Sequence, residues 1–217
     1  MNKKQIINKT VEFVREKLGG EGSGHDWWHV YRVWNTAKVI AKKEKADSFI
    51  SELAALLHDI ADWKFHNGDE TVGPKIAGEW LTKQGLDIKT IEIIKEAIED
   101  VSFKGAGVKK KVRSKEGEVV QDADRLDAMG AIGVGRTFAY GGFKQREMYN
   151  PDIKVHMAKN FEEYKAAGQT TINHFYEKLL LLKGLMNTKT AKRMAEKRHK
   201  FMEEFLKEFF VEWKGQS

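Results

Sequence analysis

Two histidines and two aspartates stand on segments that must also bury apolar surface. His29 lies in HDWWHVYRV, His58 and Asp59 are adjacent in LAALLHDIADWKFH, and Asp124 lies in VVQDADRLDA. Imidazole and carboxylate groups are costly to desolvate, and inside proteins they are found paired or bound to a cation. A lone histidine beside an apolar face is commonly a hydrogen-bonded core residue, but two imidazoles and two carboxylates converging in one core would make a metal site. The chain has 217 residues and no cysteine, so any metal rests on His, Asp and Glu alone.

Helical periodicity supplies the elements that would carry these groups. From about Asp26 to Ala46, Val30, Val33, Trp34, Ala37, Ile40 and Ala41 recur with a period near 3.6, and His29 falls at the edge of that stripe. Ser48 is the expected cap of the next helix, in which Phe49, Leu53, Leu56, Leu57 and Ile60 leave few polar sides, so this helix should be central. His58 and Asp59 sit on it about 100° apart and share one ion only if it lies between their directions. Asp124 has Val120 one turn before and Ala128 one turn after, within a helix expected over 118–129.

The rest of the chain reads as helices over 2–18, 75–84, 88–101, 155–166, 171–185 and 188–213. Residues 103–117 read as a glycine-rich basic loop, and the run Lys109 to Arg113 as solvated. After Gly130 the glycines of AIGVGRTFAYGG point to close packing or turns rather than a long regular helix, with 141–155 as loop. Only Pro74 and Pro151 interrupt a chain rich in helix formers, so the fold class is all-α.

Composition excludes several functional classes. At 41% hydrophobic and 32% charged residues the chain folds as a globular protein, long enough for one sizeable core. The N-terminus lacks the apolar stretch of a signal peptide and no apolar run is long enough to span a bilayer, so a cytoplasmic setting without membrane attachment is expected. The absence of cysteine fits a reducing compartment. The net charge of +6 comes from scattered residues with acidic groups intermixed, and no base-reading motif is present; nucleic acid is not the expected partner.

The order and flanks of the chemical segments resemble the HD-domain superfamily of metal-dependent phosphohydrolases, in particular its compact bacterial single-domain members. The resemblance covers about residues 24–142 and rests on His29 to Val33 as HxxRV, Ala55 to Ile60 around the HD pair, and Ala123 to Asp127. It implies a single domain over residues 1–217, a helical bundle in which His29, His58, Asp59 and Asp124 hold a divalent cation. Helices beyond about 155 would complete the core, cover the site or form a homodimer. Imidazole and carboxylate without thiolate suit manganese, iron, cobalt, nickel or zinc better than calcium, with manganese favoured and magnesium retained.

Further polar residues cluster near these motifs. His25 precedes His29 by one turn and is a candidate ligand, proton donor or simple helix-start residue beside Asp26. Asp62, three residues after Asp59, is a candidate for orienting water, since some HD branches place an acidic residue there; its bland reading is a solvent-facing helix end. Lys64 and His66 are candidates for substrate phosphate, as is Arg136 through its bidentate fork. Arg125 reads better as a partner of a carboxylate such as Asp127. Trp27, Trp28 and Trp63 flank the motifs and either line the pocket or pack beneath it.

The leading expectation is a phosphohydrolase acting on a small phosphorylated substrate, a nucleotide by preference, with a triphosphate cut to monophosphate and pyrophosphate as its specific form. The alternative is a catalytically idle sensor that binds nucleotide or metal. All four ligand positions are present, which favours the hydrolase.

Overall fold

A computed structural model describes residues 2–19, 26–61, 69, 71–101, 112–156 and 170–216, and every regular element among them is helical. In chain order these are α1 (Lys3–Lys17), α2 (Trp27–Glu44), α3 (Ser48–Leu57), α4 (Val72–Lys83), α5 (Ile88–Val101), α6 (Lys115–Asp127), α7 (Gly130–Phe143) and α8 (Thr171–Glu177). A 3-10 helix (Leu179–Leu185) and α9 (Lys189–Trp213) follow. The expected all-α class is the observed one. The chain divides into two compact units, one formed by described residues up to 101 together with 112–124, the other by 125–216.

In the first unit α3 packs on α1, α2 and α5, and α4 packs on α5. α3 is central because its apolar residues cover most of its circumference: Leu53 to Leu57 are all fully buried. Val30, Val33, Ala37 and Ile40 of α2 and Ile94 and Ala97 of α5 are fully buried as well, on the helices that pack against α3. Each fully buried leucine or isoleucine contributes about 1.5–3 kcal/mol relative to an exposed one.

Several boundaries differ from the periodicity, each for a local reason. Asp47, not Ser48, caps α3, its Oδ1 accepting from the amides of Phe49 (2.8 Å) and Ile50 (3.1 Å). α3 ends at Leu57, so His58 is its C-cap and Asp59 lies in the following turn. α4 begins at Val72, three residues earlier than expected, since Pro74 falls in the first turn where its missing amide hydrogen is not needed. α6 begins at Lys115, because Ser114 Oγ accepts from the Gly117 amide at 3.0 Å.

In the second unit α7 packs on α8 and α9, and the 3-10 helix packs on both α8 and α9. α7 is a regular fourteen-residue helix despite its glycines, contrary to the expected irregular segment. The glycines serve close approach: a Cβ on Gly141 would overlap Thr171 Oγ1, and one on Gly133 the Ala128 carbonyl. The expected continuous helix over 171–185 is instead α8 followed by 3-10 turns, broken at Lys178 (φ −140°, ψ −58°). Phe138, Phe175, Phe205 and Phe209 form an aromatic core with ring centroids 5.8–6.5 Å apart. Of the helix expected over 155–166, residues 157–166 lie outside the described residues, and 155–156 are not helical.

Candidate metal centre

His29, His58, Asp59 and Asp124 belong to three separate segments of the first unit, and the structure brings their side chains together. Asp26 caps α2 by accepting from the His29 amide at 2.8 Å, which places His29 in the first turn with its side chain 1% exposed. Its Nε2 stands 3.3 Å from Nε2 of His58, 3.7 Å from Oδ2 of Asp59 and 3.4 Å from Oδ1 of Asp124. His58 Nε2 is 3.9 Å from the same Asp124 oxygen.

The tightest grouping is His29, His58 and Asp59, whose ligand atoms lie within 4.8 Å of one another; Asp124 joins it through the 3.4 and 3.9 Å separations. Two donors on one first-row metal ion at bond lengths of about 2.1 Å can stand at most about 4.2 Å apart. All three separations among His29, His58 and Asp124 lie inside that limit, as does that from His29 to Asp59, so these groups suit a shared divalent ion.

Local structure prepares the donors. His58 Nδ1 lies 2.8 Å from the Ala55 carbonyl oxygen, so its N–H donates there and the Nε2 lone pair faces the other donors. That bond also satisfies one of the last carbonyls of α3, and the Ile60 amide takes the Leu57 carbonyl at 3.3 Å. The C-terminal end of a helix carries partial negative charge, which favours a cation at this point. Exposure rises from the histidines to the carboxylates: Asp59 is 13% and Asp124 31% exposed, leaving the acidic side open to an approaching molecule.

The other sequence candidates fare differently. His25, Asp62, Lys64 and His66 lie outside the described residues, as does Trp63. Arg136 is on α7 in the second unit, where its Nη1 donates to Asp127 Oδ2 at 2.9 Å. Arg125 donates to the Leu185 carbonyl. Trp27 is buried and Trp28 is exposed.

Sequence reasoning passed over a second polar cluster in the first unit. Asp100 is fully buried in α5, and its carboxylate accepts from the Arg113 amide (2.9 Å), Nε (3.2 Å) and Nη2 (3.0 Å). Arg113 Nη2 also meets Glu99 Oε2 and the Glu96 carbonyl, so this residue is held in place while its side chain stays 39% exposed, and Lys109 to Lys111 of the basic run lie outside the described residues; its pKa is raised, chiefly by the hydrogen bonds to Asp100. Gln121 Nε2 donates to the Asp100 carbonyl at 2.6 Å. The available signal was an aspartate on the apolar face of α5, beside Ala97, Ile98 and Val101, which demands a cationic partner.

With this geometry in hand, known proteins supply the context. The family described as HD domain matches residues 27–129. The uncharacterized protein YpgQ of Bacillus subtilis is 39% identical over 199 residues, spanning 90% of this chain and 88% of its own length. The crystal structure of an HD-superfamily hydrolase from Bacillus thuringiensis superposes with a TM-score of 0.78 at 42% identity, covering 99% of this chain and all of that one. A Lactobacillus plantarum protein superposes over the whole of both chains, with a TM-score of 0.85 and 35% identity. The crystal structure of Bacillus subtilis YpgQ in complex with ADP gives 0.76 at 34% identity, covering 96% of this chain and 95% of that one. An all-helical fold, an H…HD…D donor set gathered from three segments and full-length relatives of this kind make the chain a member of the HD-domain superfamily.

Proposed function

We propose that this protein is a divalent-metal-dependent phosphohydrolase acting on a small phosphorylated substrate, preferentially a nucleotide, with cleavage of a triphosphate to monophosphate and pyrophosphate as the specific reaction. The observation that carries the proposal is the convergence of two imidazole Nε2 atoms 3.3 Å apart with the carboxylates of Asp59 and Asp124. Support for a nucleotide comes from the relative YpgQ, one crystal structure of which is a complex with ADP.

His29, His58, Asp59 and Asp124 would hold the ion, for which manganese is the first choice on donor type. A divalent ion held there supplies an acidified water and polarisation of a phosphoryl oxygen. The chain's own residues supply orientation and proton handling. The Ala55 carbonyl fixes the His58 tautomer, and the buried imidazole of His29 presents Nε2 without competition from bulk water. In this reading Asp62 and His25 assist proton transfer, and Lys64 and His66 neutralise substrate charge. Among the described residues no helix is long and apolar enough to cross a membrane, and a cytoplasmic setting suits a cysteine-free enzyme of this kind.

The experiment is a release assay for phosphate and pyrophosphate over a nucleotide panel with Mn²⁺, comparing wild type with Asp59→Ala. Release by wild type and its loss in the variant is expected. No release from any nucleotide, with nucleotide binding retained by both proteins, would instead identify a sensor.

A further inference from the structure

The four donors are set by different elements. His29 is set by the capped first turn of α2, and His58 and Asp59 by the end of α3, which packs along α2. α6 carries Asp124. It buries Val119, Val120 and Ala123, but apolar contact is non-directional and tolerates a small rotation or slide. Hydrogen bonds do not tolerate it, and α6 has them near its start and one turn before Asp124. Glu116 Oε1 accepts from the Asp47 amide at 2.8 Å, linking the start of α6 to the cap of α3. Arg113, two residues before the helix, is clamped on Asp100 through backbone and guanidinium together. Gln121, one turn before Asp124, donates to the carbonyl of that same Asp100.

We propose that Asp100, Arg113 and Gln121 form a brace that sets the register of α6 on α5 and so places the Asp124 carboxylate against His29 and His58. They are positioning residues: none is a donor of the candidate centre, and they act through the helix that carries one. Asp100 is the hub, since its carboxylate holds the approach to α6 and its carbonyl holds the middle of it. Gln121 and Asp124 are three residues apart and therefore neighbours on one side of α6. A ligand distance must be met to about 0.2 Å, so a displacement trivial for the core is large for coordination. The inference rests on the metal reading above and adds to it residues that no HD motif contains.

The test uses metal-free full-length protein titrated with Mn²⁺ by calorimetry, with urea stability measured in parallel. Gln121→Met keeps length and volume but removes the donor; Arg113→Lys keeps the charge but not the fork. Thr10→Val serves as a control of similar structural cost, since Thr10 Oγ1 accepts from Trp80 Nε1 at 2.9 Å away from α6. Gln121→Met and Arg113→Lys are expected to weaken Mn²⁺ binding by about 10-fold or more, as outer partners of metal ligands do, while Thr10→Val leaves it unchanged. In an Asp124→Ala background, where weaker binding remains measurable, Gln121→Met should add no further loss, because its effect passes through Asp124. Equal losses with and without Asp124, or unchanged affinity in both brace variants, overturn the brace alone. A wild type that binds no ion overturns the metal reading and the brace together.

Discussion

His174, in α8 of the second unit, allows a quantitative check that is independent of metal. Its Nδ1 is buried, and burial, with Lys178 and Arg146 nearby, pushes its pKa from the ordinary 6.5 down to about 3. The native protein therefore keeps this imidazole neutral while the unfolded chain protonates it below about 6.5. The stability this group contributes is complete above the unfolded value and is lost as pH falls from 6.5 toward the folded value. Between pH 7 and pH 5 the loss is about 2 kcal/mol, a magnitude that requires only a folded pKa well below 5. Urea denaturation of wild type and His174→Gln at both pH values isolates the term, because every other titrating group cancels in the difference. Wild type is expected to lose about 2 kcal/mol more than the variant on acidification. A difference under about 0.5 kcal/mol, or an imidazole that titrates near 6.5 by NMR in the folded protein, would refute the reasoning.

Two further perturbations are informative. His58→Ala removes both a donor and the partner of the Ala55 carbonyl, and elemental analysis of the purified variant should show loss of bound metal; full occupancy would remove His58 from the ligand set. Gly133→Ala drives a methyl into the Ala128 carbonyl inside a packed helix and should cost about 2–4 kcal/mol in urea unfolding, whereas Gly135→Ala, which meets open space on the same helix, should be neutral or slightly stabilising.

Much of the fold was legible without coordinates. The stripes of α1, α2, α5 and α9 repeat every 3.6 residues, and that period survives folding because it is a property of consecutive residues. The buried run Leu53 to Leu57 correctly marked α3 as central. Where periodicity misjudged the structure, a non-local partner decided: Thr171 and Ala128 explain the glycines of α7, and Asp100, thirteen residues away, holds an Arg113 that is still 39% exposed. The Asp47 cap is a subtler case, in which two adjacent residues can both cap and backbone geometry chooses.

The site divides in the same way. His29, His58, Asp59 and Asp124 could be singled out in the sequence because their types are costly to bury and their flanks match a known pattern in the right order. The separations of 3.3 to 3.9 Å between their donor atoms could not, nor could the hydrogen bond from His58 Nδ1 to Ala55 that turns Nε2 toward the others. Residue identity determines which atoms are able to coordinate. Only the packing of α3 on α2, and the bonds holding α6 to α5 through Asp100, Arg113 and Gln121, decide whether those atoms meet, because residues as far apart as 29 and 124 acquire a mutual distance only when the chain between them is folded.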